Sequence, residues 1–410
     1  MFHISHNFIF TILYWPEVND LNTSHTIRVA ALCIMLCVPA RGEESEYTIR
    51  GFDPRIQQGV DLIYNLRFVE AERHFQAVIE AAPDNPLGYF FRAMVVWWRV
   101  LVDLDDESHD EAFYRALQEC VDVCDRRLEQ DPMDFDAILF KGGAIGFRGR
   151  LRGDRGQYLK AARDGLRCLP LLEKSRELDP TNKDILFGQA VYHYFAEVMP
   201  KEHRIIRPMM VFLPDGDRAL GLQQLEEVAR EGVYARTEAA YFLAQIYRMF
   251  EEDNHQALPW FEKLYARYPD NALFHQYTAR LLVELGRWRR GSTLYEAYVR
   301  RNLADQAGYH RHGRIEAEYY LGKYAYFKRR LPEAAERFAV VDRLVGDSER
   351  ERDRAYAALA NLLLGQIRDL QGRREEAVAC YERVRDLPDY AGSRKKAKGY
   401  LRAAYREGEE

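Results

Sequence analysis

The feature of the sequence that most constrains its fold is a repeated order of small, aromatic and proline residues. In residues 55–83, the small residues Gly59 and Ala71 lie twelve positions apart, Phe75 follows four residues later, and Pro83 ends the unit. Four later segments keep this order with small shifts: Ala244, Ala257, Phe261 and Pro269; Ala279, Gly291 and Tyr295; Gly322, Ala334 and Phe338; and Gly365, Ala377, Tyr381 and Pro388. Five occurrences in one chain predict a repeat architecture.

The spacing has a physical reason in helical hairpins. Small residues at this separation allow two antiparallel helices to cross closely, the aromatic residue fills the gap to the next pair, and proline ends the second helix. From residue 53 onward, apolar residues recur every three or four positions between breaks rich in Pro, Gly, Asp or Asn. That pattern is typical of helices rather than strands, so the sequence predicts an all-α fold.

The repeats resemble the tetratricopeptide-repeat (TPR) family. The resemblance implies a right-handed α-α superhelix, a TPR-like solenoid of about eight helix hairpins, in a divergent member of that family. It also implies a non-catalytic scaffold that binds a protein or peptide in its concave groove.

In the middle of the chain, the two small positions of each repeat lie farther apart. The pairs are Ala93 and Cys120, Gly142 and Cys168, and Ala190 and Gly221, with separations of 27, 26 and 31 residues. Each middle repeat therefore holds an insert, which either lengthens its helices or forms a loop. The predicted organisation is a signal peptide or N-terminal extension (1–40), a linker (41–52), N-terminal repeats with long inserts (53–232), regular C-terminal repeats (233–389), and a capping helix and tail (390–410).

The N-terminal segment carries the pattern of a secretory signal. Arg28 precedes an apolar run from Val29 to Ala40, and a charged segment begins at Arg41. The run is shorter than the about 20 residues that a spanning helix needs. We expect an exported protein, periplasmic or envelope-associated; if residues 1–40 are instead an uncleaved segment, the protein is cytoplasmic.

Charge balance and missing motifs argue against several functional classes. The 59 Lys and Arg residues against 64 Asp and Glu residues leave a net charge of −5, which predicts no nucleic-acid partner. The sequence has no CxxC pair, no HExxH and no Walker loop, so we expect no cofactor, no metal site and no enzyme activity. An enzyme site built by the middle inserts is the less favoured alternative, with His193, His203, Asp215 and Asp217 as its candidate acids and bases.

The resemblance places candidate peptide contacts on the first helix of each C-terminal hairpin. These groove residues are Tyr241, Gln245, Arg248, Gln276, Arg280, Tyr319, Lys323, Tyr326 and Gln366. Amides would meet a peptide backbone, and Arg or Lys its carboxylates. Tyr241 and Gln245 stand where some family members have the Lys and Asn of a carboxylate clamp, so the sequence does not predict chaperone-tail binding.

Two further segments are candidate contacts. Arg148, Arg150, Arg152 and Arg155 could bind an anion or an acidic partner, or could pair with Asp154, Asp164 and other neighbouring acids. The apolar insert 205–213 either folds back as a plug in the superhelix or contacts a partner or membrane. The second reading gives the main alternative function, an envelope-associated structural subunit that docks through this insert.

Processing tests the signal prediction. If Val29–Ala40 is a signal core, the mature protein begins near Arg41 because the peptidase cuts after the small residue that ends the run. Intact-mass measurement on protein from an envelope fraction checks this. A cytoplasmic form that keeps residues 1–40 would contradict it.

Overall fold

The computed structural model describes residues 51–211 and 214–407, and within these ranges every regular element is a helix. The signal prediction for 1–40 and most of the predicted linker lie outside the described residues. The helices are α1 (Pro54–Tyr64), α2 (Phe68–Ala81), α3 (Pro86–Val102), α4 (Asp110–Gln130), α5 (Phe135–Asp154), α6 (Tyr158–Leu178), α7 (Ile185–Glu202), a 3₁₀ turn (Arg204–Ile206), α8 (Arg207–Met210), α9 (Arg218–Glu231), α10 (Arg236–Met249), α11 (Asn254–Arg267), α12 (Ala272–Glu284), α13 (Trp288–Leu303), α14 (Arg311–Phe327), α15 (Leu331–Val345), α16 (Glu351–Leu370), α17 (Arg374–Asp386) and α18 (Ser393–Arg402).

The helices form eight successive hairpins and a final single helix. Seven hairpins join consecutive helices, from α1–α2 to α16–α17, whereas the fourth pairs α7 with α9 across the short helical turns between them. Each hairpin packs on the next one. The prediction of an all-α solenoid of about eight hairpins is confirmed.

The small and aromatic positions of a repeat meet inside one hairpin. A Cβ atom added to Gly59 would lie 2.4 Å from the ring of Phe75, and one added to Gly365 would lie 2.5 Å from the ring of Tyr381. Both rings are completely buried. The aromatic residue therefore fills the space that the glycine of its own hairpin leaves, in addition to facing the neighbouring pair.

The inserts of the middle repeats are mainly longer helices. Helices α3 to α6 contain 17, 21, 20 and 21 residues, compared with 14 residues in each helix of the fifth hairpin. The fourth hairpin differs because residues 203–217 connect its helices and include the 3₁₀ turn and α8. Longer helices extend these hairpins beyond their neighbours and supply additional packing surface.

The last helix covers the open end of the stack. Ala397 of α18 is completely buried and packs in a cluster with Ala377, Tyr381 and Val384 of α17. The basic side chains Lys395, Lys396, Lys398 and Arg402 are exposed. Helix α18 thus hides the apolar face of the eighth hairpin and presents a charged surface to water.

Hairpins far apart in sequence also pack together. Trp98 of α3 lies edge-on to Phe274 of α12 at 5.4 Å between ring centroids and contacts Tyr241 of α10 at 5.5 Å. The Nδ2 atom of Asn271 donates to the carbonyl of Tyr64 at 2.8 Å. The inner faces of α1, α3, α10 and α12 therefore share one core, where an open solenoid would have a groove.

A buried carboxylate lies at the centre of this contact. Glu238 of α10 is 4% exposed and accepts hydrogen bonds from Tyr64 (3.3 Å), Trp97 (3.3 Å) and Trp98 (3.2 Å). Burial raises the pKa of Glu238 to about 7, although the three hydrogen bonds and the charge of Arg150 oppose the shift. The ionised form is thus accommodated at a cost to stability.

The pH dependence of unfolding tests this carboxylate. Because the pKa of Glu238 is higher in the folded protein than in the unfolded chain, stability is lost as pH rises towards the folded value. Glu238→Gln mimics the protonated form and removes this dependence. We expect the variant to gain about 2–3 kcal/mol relative to the original protein between pH 5 and pH 8, measured by urea unfolding. If the free energy of unfolding depended on pH in the same way in both proteins, the raised pKa of Glu238 would be contradicted.

Candidate binding surface

The first helices of the four C-terminal hairpins hold the nine predicted groove residues on their inner face, but much of that face is covered. Tyr241, Gln245, Arg280, Tyr319 and Gln366 are buried. Arg248, Gln276, Lys323 and Tyr326 are partly buried. The expectation of an open groove at all nine positions needs correction, because packing of α1 and α3 onto α10 and α12 and of α18 onto α16 covers part of it.

The amides expected to meet a peptide backbone bind side chains of the protein itself. Gln245 donates to the hydroxyl of Tyr241 at 2.8 Å and accepts from Nε of Arg248 at 3.2 Å. Gln366 donates to the hydroxyl of Tyr400 in α18 at 3.2 Å. A peptide would have to replace these hydrogen bonds, so these two amides are poorly placed for ligand contact.

Arg280 forms a buried ion pair that the sequence did not reveal. Its Nε atom donates to Oε1 of Glu316 at 2.9 Å and its Nη2 atom to Oε2. Gln276 and Tyr295 donate to the same carboxylate at 3.0 and 2.8 Å. Burial alone would raise the pKa of Glu316, but Arg280 and Tyr295 outweigh it and hold the pKa below its ordinary value. Arg280 therefore takes part in a buried ion pair that joins α12 to α14.

A continuous row of aromatic and cationic groups borders this ion pair. The guanidinium of Arg248 lies 4.9 Å from the ring centroid of Tyr277, and that of Arg280 lies 5.2 Å from the same ring. Tyr320 of α14 stacks on Tyr295 at 5.4 Å and contacts Tyr356 of α16 at 6.2 Å. Arg248, Tyr277, Tyr320 and Tyr356 are partly exposed, so the row reaches solvent.

Lys323 continues the row on α14. Its Nζ atom lies 5.9, 5.7 and 5.8 Å from the ring centroids of Tyr319, Trp288 and Phe327. Burial lowers the pKa of Lys323. Within the described part of the chain, no carboxylate lies in ion-pair distance of this ammonium group. We call Arg248, Tyr277, Tyr320, Lys323 and Tyr356 the inner row.

The arginine cluster on α5 and its C-cap is paired with acids of the same protein. Arg148 and Arg152 both donate to Asp164, at 2.8 and 2.5 Å, and the Asp164 side chain is completely buried. Arg150 donates to Asp154 at 3.0 Å, and Arg155 binds both oxygens of Asp110 at 2.7 and 2.8 Å. The pairing with Asp154 and Asp164 that the sequence left open is thus present, and anion binding at these arginines stays a prediction.

The apolar insert combines buried and exposed groups. Ile206 is buried, whereas Ile205 and Val211 are 62% and 81% exposed. Phe212, Leu213 and the side chains of Met209 and Met210 lie outside the described structure. No helix in the described ranges is long and apolar enough to cross a bilayer.

The candidate acid–base residues of the enzyme alternative do not form a pair. Asp217 caps α9 by accepting from the amide of Leu220 at 2.9 Å, and its own amide donates to the carbonyl of His193 at 3.0 Å. Burial lowers the pKa of His193, although the charge of Asp217 opposes the shift. His203 instead stacks on Tyr158, with ring centroids 3.8 Å apart.

Fold and sequence together define an all-α solenoid of the tetratricopeptide-repeat type. The sequence profile described as Tetratricopeptide repeat matches residues 358–387, which cover the second half of α16 and all of α17. The prediction of a divergent TPR-like protein is confirmed. No curated protein sequence matches the chain.

Solved structures of low sequence identity and low TM-score match the chain. The human IFIT1 dimer with PPP-AAAA is 14% identical, covers 78% of this chain and 68% of its own, and has a TM-score of 0.41. The same dimer with m7Gppp-AAAA has a TM-score of 0.43 at 14% identity, covering 78% of this chain and 67% of its own. The C-terminal part of a TPR repeat-containing protein from Cytophaga hutchinsonii is 14% identical, covers 83% of this chain and 98% of its own, and has a TM-score of 0.27.

Removing one partner of the buried ion pair tests its structural role. We expect Arg280→Ala to lower the free energy of unfolding by about 3–5 kcal/mol because Glu316 then lacks its counter-ion in a buried site. Adding Glu316→Gln should recover part of the loss. Arg343→Ala, at an exposed position of α15, is the control and should change stability by less than about 0.5 kcal/mol. Equal effects of Arg280→Ala and Arg343→Ala in urea unfolding would show that the pair is not structural.

Proposed function

We propose that the protein is a non-catalytic scaffold that binds a protein or peptide partner along the inner row. The observation that carries the proposal is that the five residues of the row come from four successive first helices, α10, α12, α14 and α16. Buried residues of the same helices and of α13 connect them: Arg280, Tyr295, Glu316 and Tyr319. Successive hairpins thus contribute to one surface although each supplies only one or two side chains. Such shared surfaces are how solenoids bind extended partners.

The side-chain chemistry of the inner row suits a polypeptide. Partly exposed Tyr277, Tyr320 and Tyr356 offer large, rigid contact areas with a polar hydroxyl. Arg248, held over Tyr277, can still donate hydrogen bonds from its remaining N–H groups. Lys323 is an ammonium group in aromatic surroundings, and a partner carboxylate would supply the counter-charge that its own neighbours do not.

This proposal revises the binding surface expected from the sequence. Arg248 and Lys323 keep their place in it, and Tyr277, Tyr320 and Tyr356 replace the buried Tyr241, Gln245, Arg280, Tyr319 and Gln366. Gln276 is bound to Glu316. Tyr326 lies beside Tyr405, which together with burial raises the pKa of the Tyr326 hydroxyl.

Export and the lack of catalysis and of a nucleic-acid partner remain predictions. Export rests on the Val29–Ala40 pattern, outside the described residues. The alternative of an envelope-associated subunit is supported by the exposed Ile205 and Val211 in the insert 205–213.

Site-specific photo-crosslinking tests the inner row. A photoreactive amino acid at Arg248 should capture a protein partner in cells, whereas the same group at Arg343, on the second helix of the seventh hairpin, should not, because only the first position lies in the row. The captured partner is then purified, and Arg248→Ala with Lys323→Ala should weaken its binding about tenfold or more.

Folding of each variant is checked by circular dichroism. Identical adducts from positions 248 and 343, or full affinity in the double variant, would contradict binding at the inner row.

A further inference from the structure

A second surface lies where the helices of the sixth and seventh hairpins turn. A cavity of about 540 Å³ opens between the α12–α13 turn and the end of α14. Residues of these two segments line it: Gly286, Arg287, Trp288, Arg289, Arg290, Tyr324, Phe327 and Lys328. We call this the turn surface. None of its residues belongs to the inner row.

The floor of the turn surface is aromatic. The rings of Trp288 and Tyr324 are parallel within 2°, with centroids 6.5 Å apart, and Phe327 meets Trp288 edge-on at 5.1 Å. Phe327 is 52% exposed. An aromatic ring left half in water beside two others offers a contact for an apolar side chain of a partner.

The rim of the turn surface is cationic and incompletely neutralised. Arg290 pairs with Glu262 at 2.7 Å. For Arg287, Arg289 and Lys328, by contrast, no carboxylate of the described residues lies within ion-pair distance. The Lys328 ammonium instead lies 5.8 Å from the ring centroid of Tyr324. Within the described ranges, three cations without a paired acid therefore surround one aromatic floor, in a chain of net charge −5.

Two other hairpin turns lack this excess of unpaired basic side chains. At the first turn, Arg67 pairs with Glu70 at 2.7 Å. At the eighth, Arg373 pairs with Glu376 and Arg374 with Asp369, at 2.5 and 3.0 Å. Basic residues at these two turns are thus neutralised by nearby acids, unlike Arg287, Arg289 and Lys328 at the cavity.

We propose that the turn surface binds a short acidic segment of a partner protein that carries an aromatic anchor. The anchor would pack on Phe327 and Trp288 while flanking carboxylates pair with Arg287, Arg289 and Lys328. A nucleic acid fits less well, because its phosphates need cations spread along a path, whereas Arg67 at the first turn and Arg373 at the eighth are neutralised by acids of the protein. This site borders the inner row at Lys323, whose ammonium lies 5.7 and 5.8 Å from the ring centroids of Trp288 and Phe327, but it shares no residue with that row.

Labelled peptides of defined chemistry test the proposal in the full chain. The probe is Asp-Glu-Trp-Asp-Glu; its comparators are Asn-Gln-Trp-Asn-Gln, Asp-Glu-Ala-Asp-Glu and an oligothymidylate of the same charge. Binding is followed by fluorescence anisotropy at about 50 mM salt, where ion pairs are weakly screened. We expect each comparator to bind about tenfold more weakly than the probe. Equal or tighter binding of any comparator overturns the proposed chemistry.

Matched variants locate the site. Arg287→Glu with Arg289→Glu, and separately Phe327→Ser, should each weaken probe binding about tenfold with unchanged circular dichroism. The control, Arg300→Glu with Arg343→Glu, makes the same charge change on exposed positions of the second helices of the same hairpins and should leave binding within about twofold. Arg248→Ala should also leave it unchanged, which separates failure of this site from failure of the inner row. Equal losses in variant and control, or no loss in either, would overturn the proposal.

Discussion

The contact between the first two hairpins and the fifth and sixth determines how the rest of the protein is organised. In an open solenoid each repeat packs only on its neighbours, and stability is a sum of local terms. Here Tyr64, Trp97 and Trp98 surround Glu238, which lies 174, 141 and 140 residues farther along the chain. This contact converts the inner faces of α1, α3, α10 and α12 into a shared core.

Local patterns in the sequence predicted the elements of the fold well. The pairs Gly59 with Phe75 and Gly365 with Tyr381 reflect contacts inside one hairpin, so their spacing can be recognised without knowledge of the whole. The contact between the first two hairpins and the fifth and sixth could not be predicted in this way. Whether the first two hairpins meet the fifth and sixth depends on how far each hairpin is rotated relative to the one before it. The long helices α3 to α6 lie between these hairpins and contribute to that accumulated rotation.

The binding surface was predicted less well for the same reason. Helical spacing placed Arg248 and Lys323 on the inner face, but it could not distinguish them from Arg280, which is buried against Glu316. The sequence did offer one indication of this ion pair, because Glu316 is an acidic residue on the apolar side of α14. The basic run around Trp288 was visible as well, yet the neutralisation of other turns, such as Arg67 by Glu70, appears only in three dimensions.

A second contact between residues far apart in sequence affects how the protein should respond to force. Arg350, just before α16, binds both oxygens of Asp103, just after α3, at 2.6 and 2.8 Å. A solenoid with contacts only between neighbours lengthens under tension like a spring, because every interface yields a little. With Asp103 and Arg350 tied together and Glu238 held by α1 and α3, pulling on the chain first loads these few contacts. We therefore expect the protein to resist extension until these contacts rupture and to lengthen more easily afterwards.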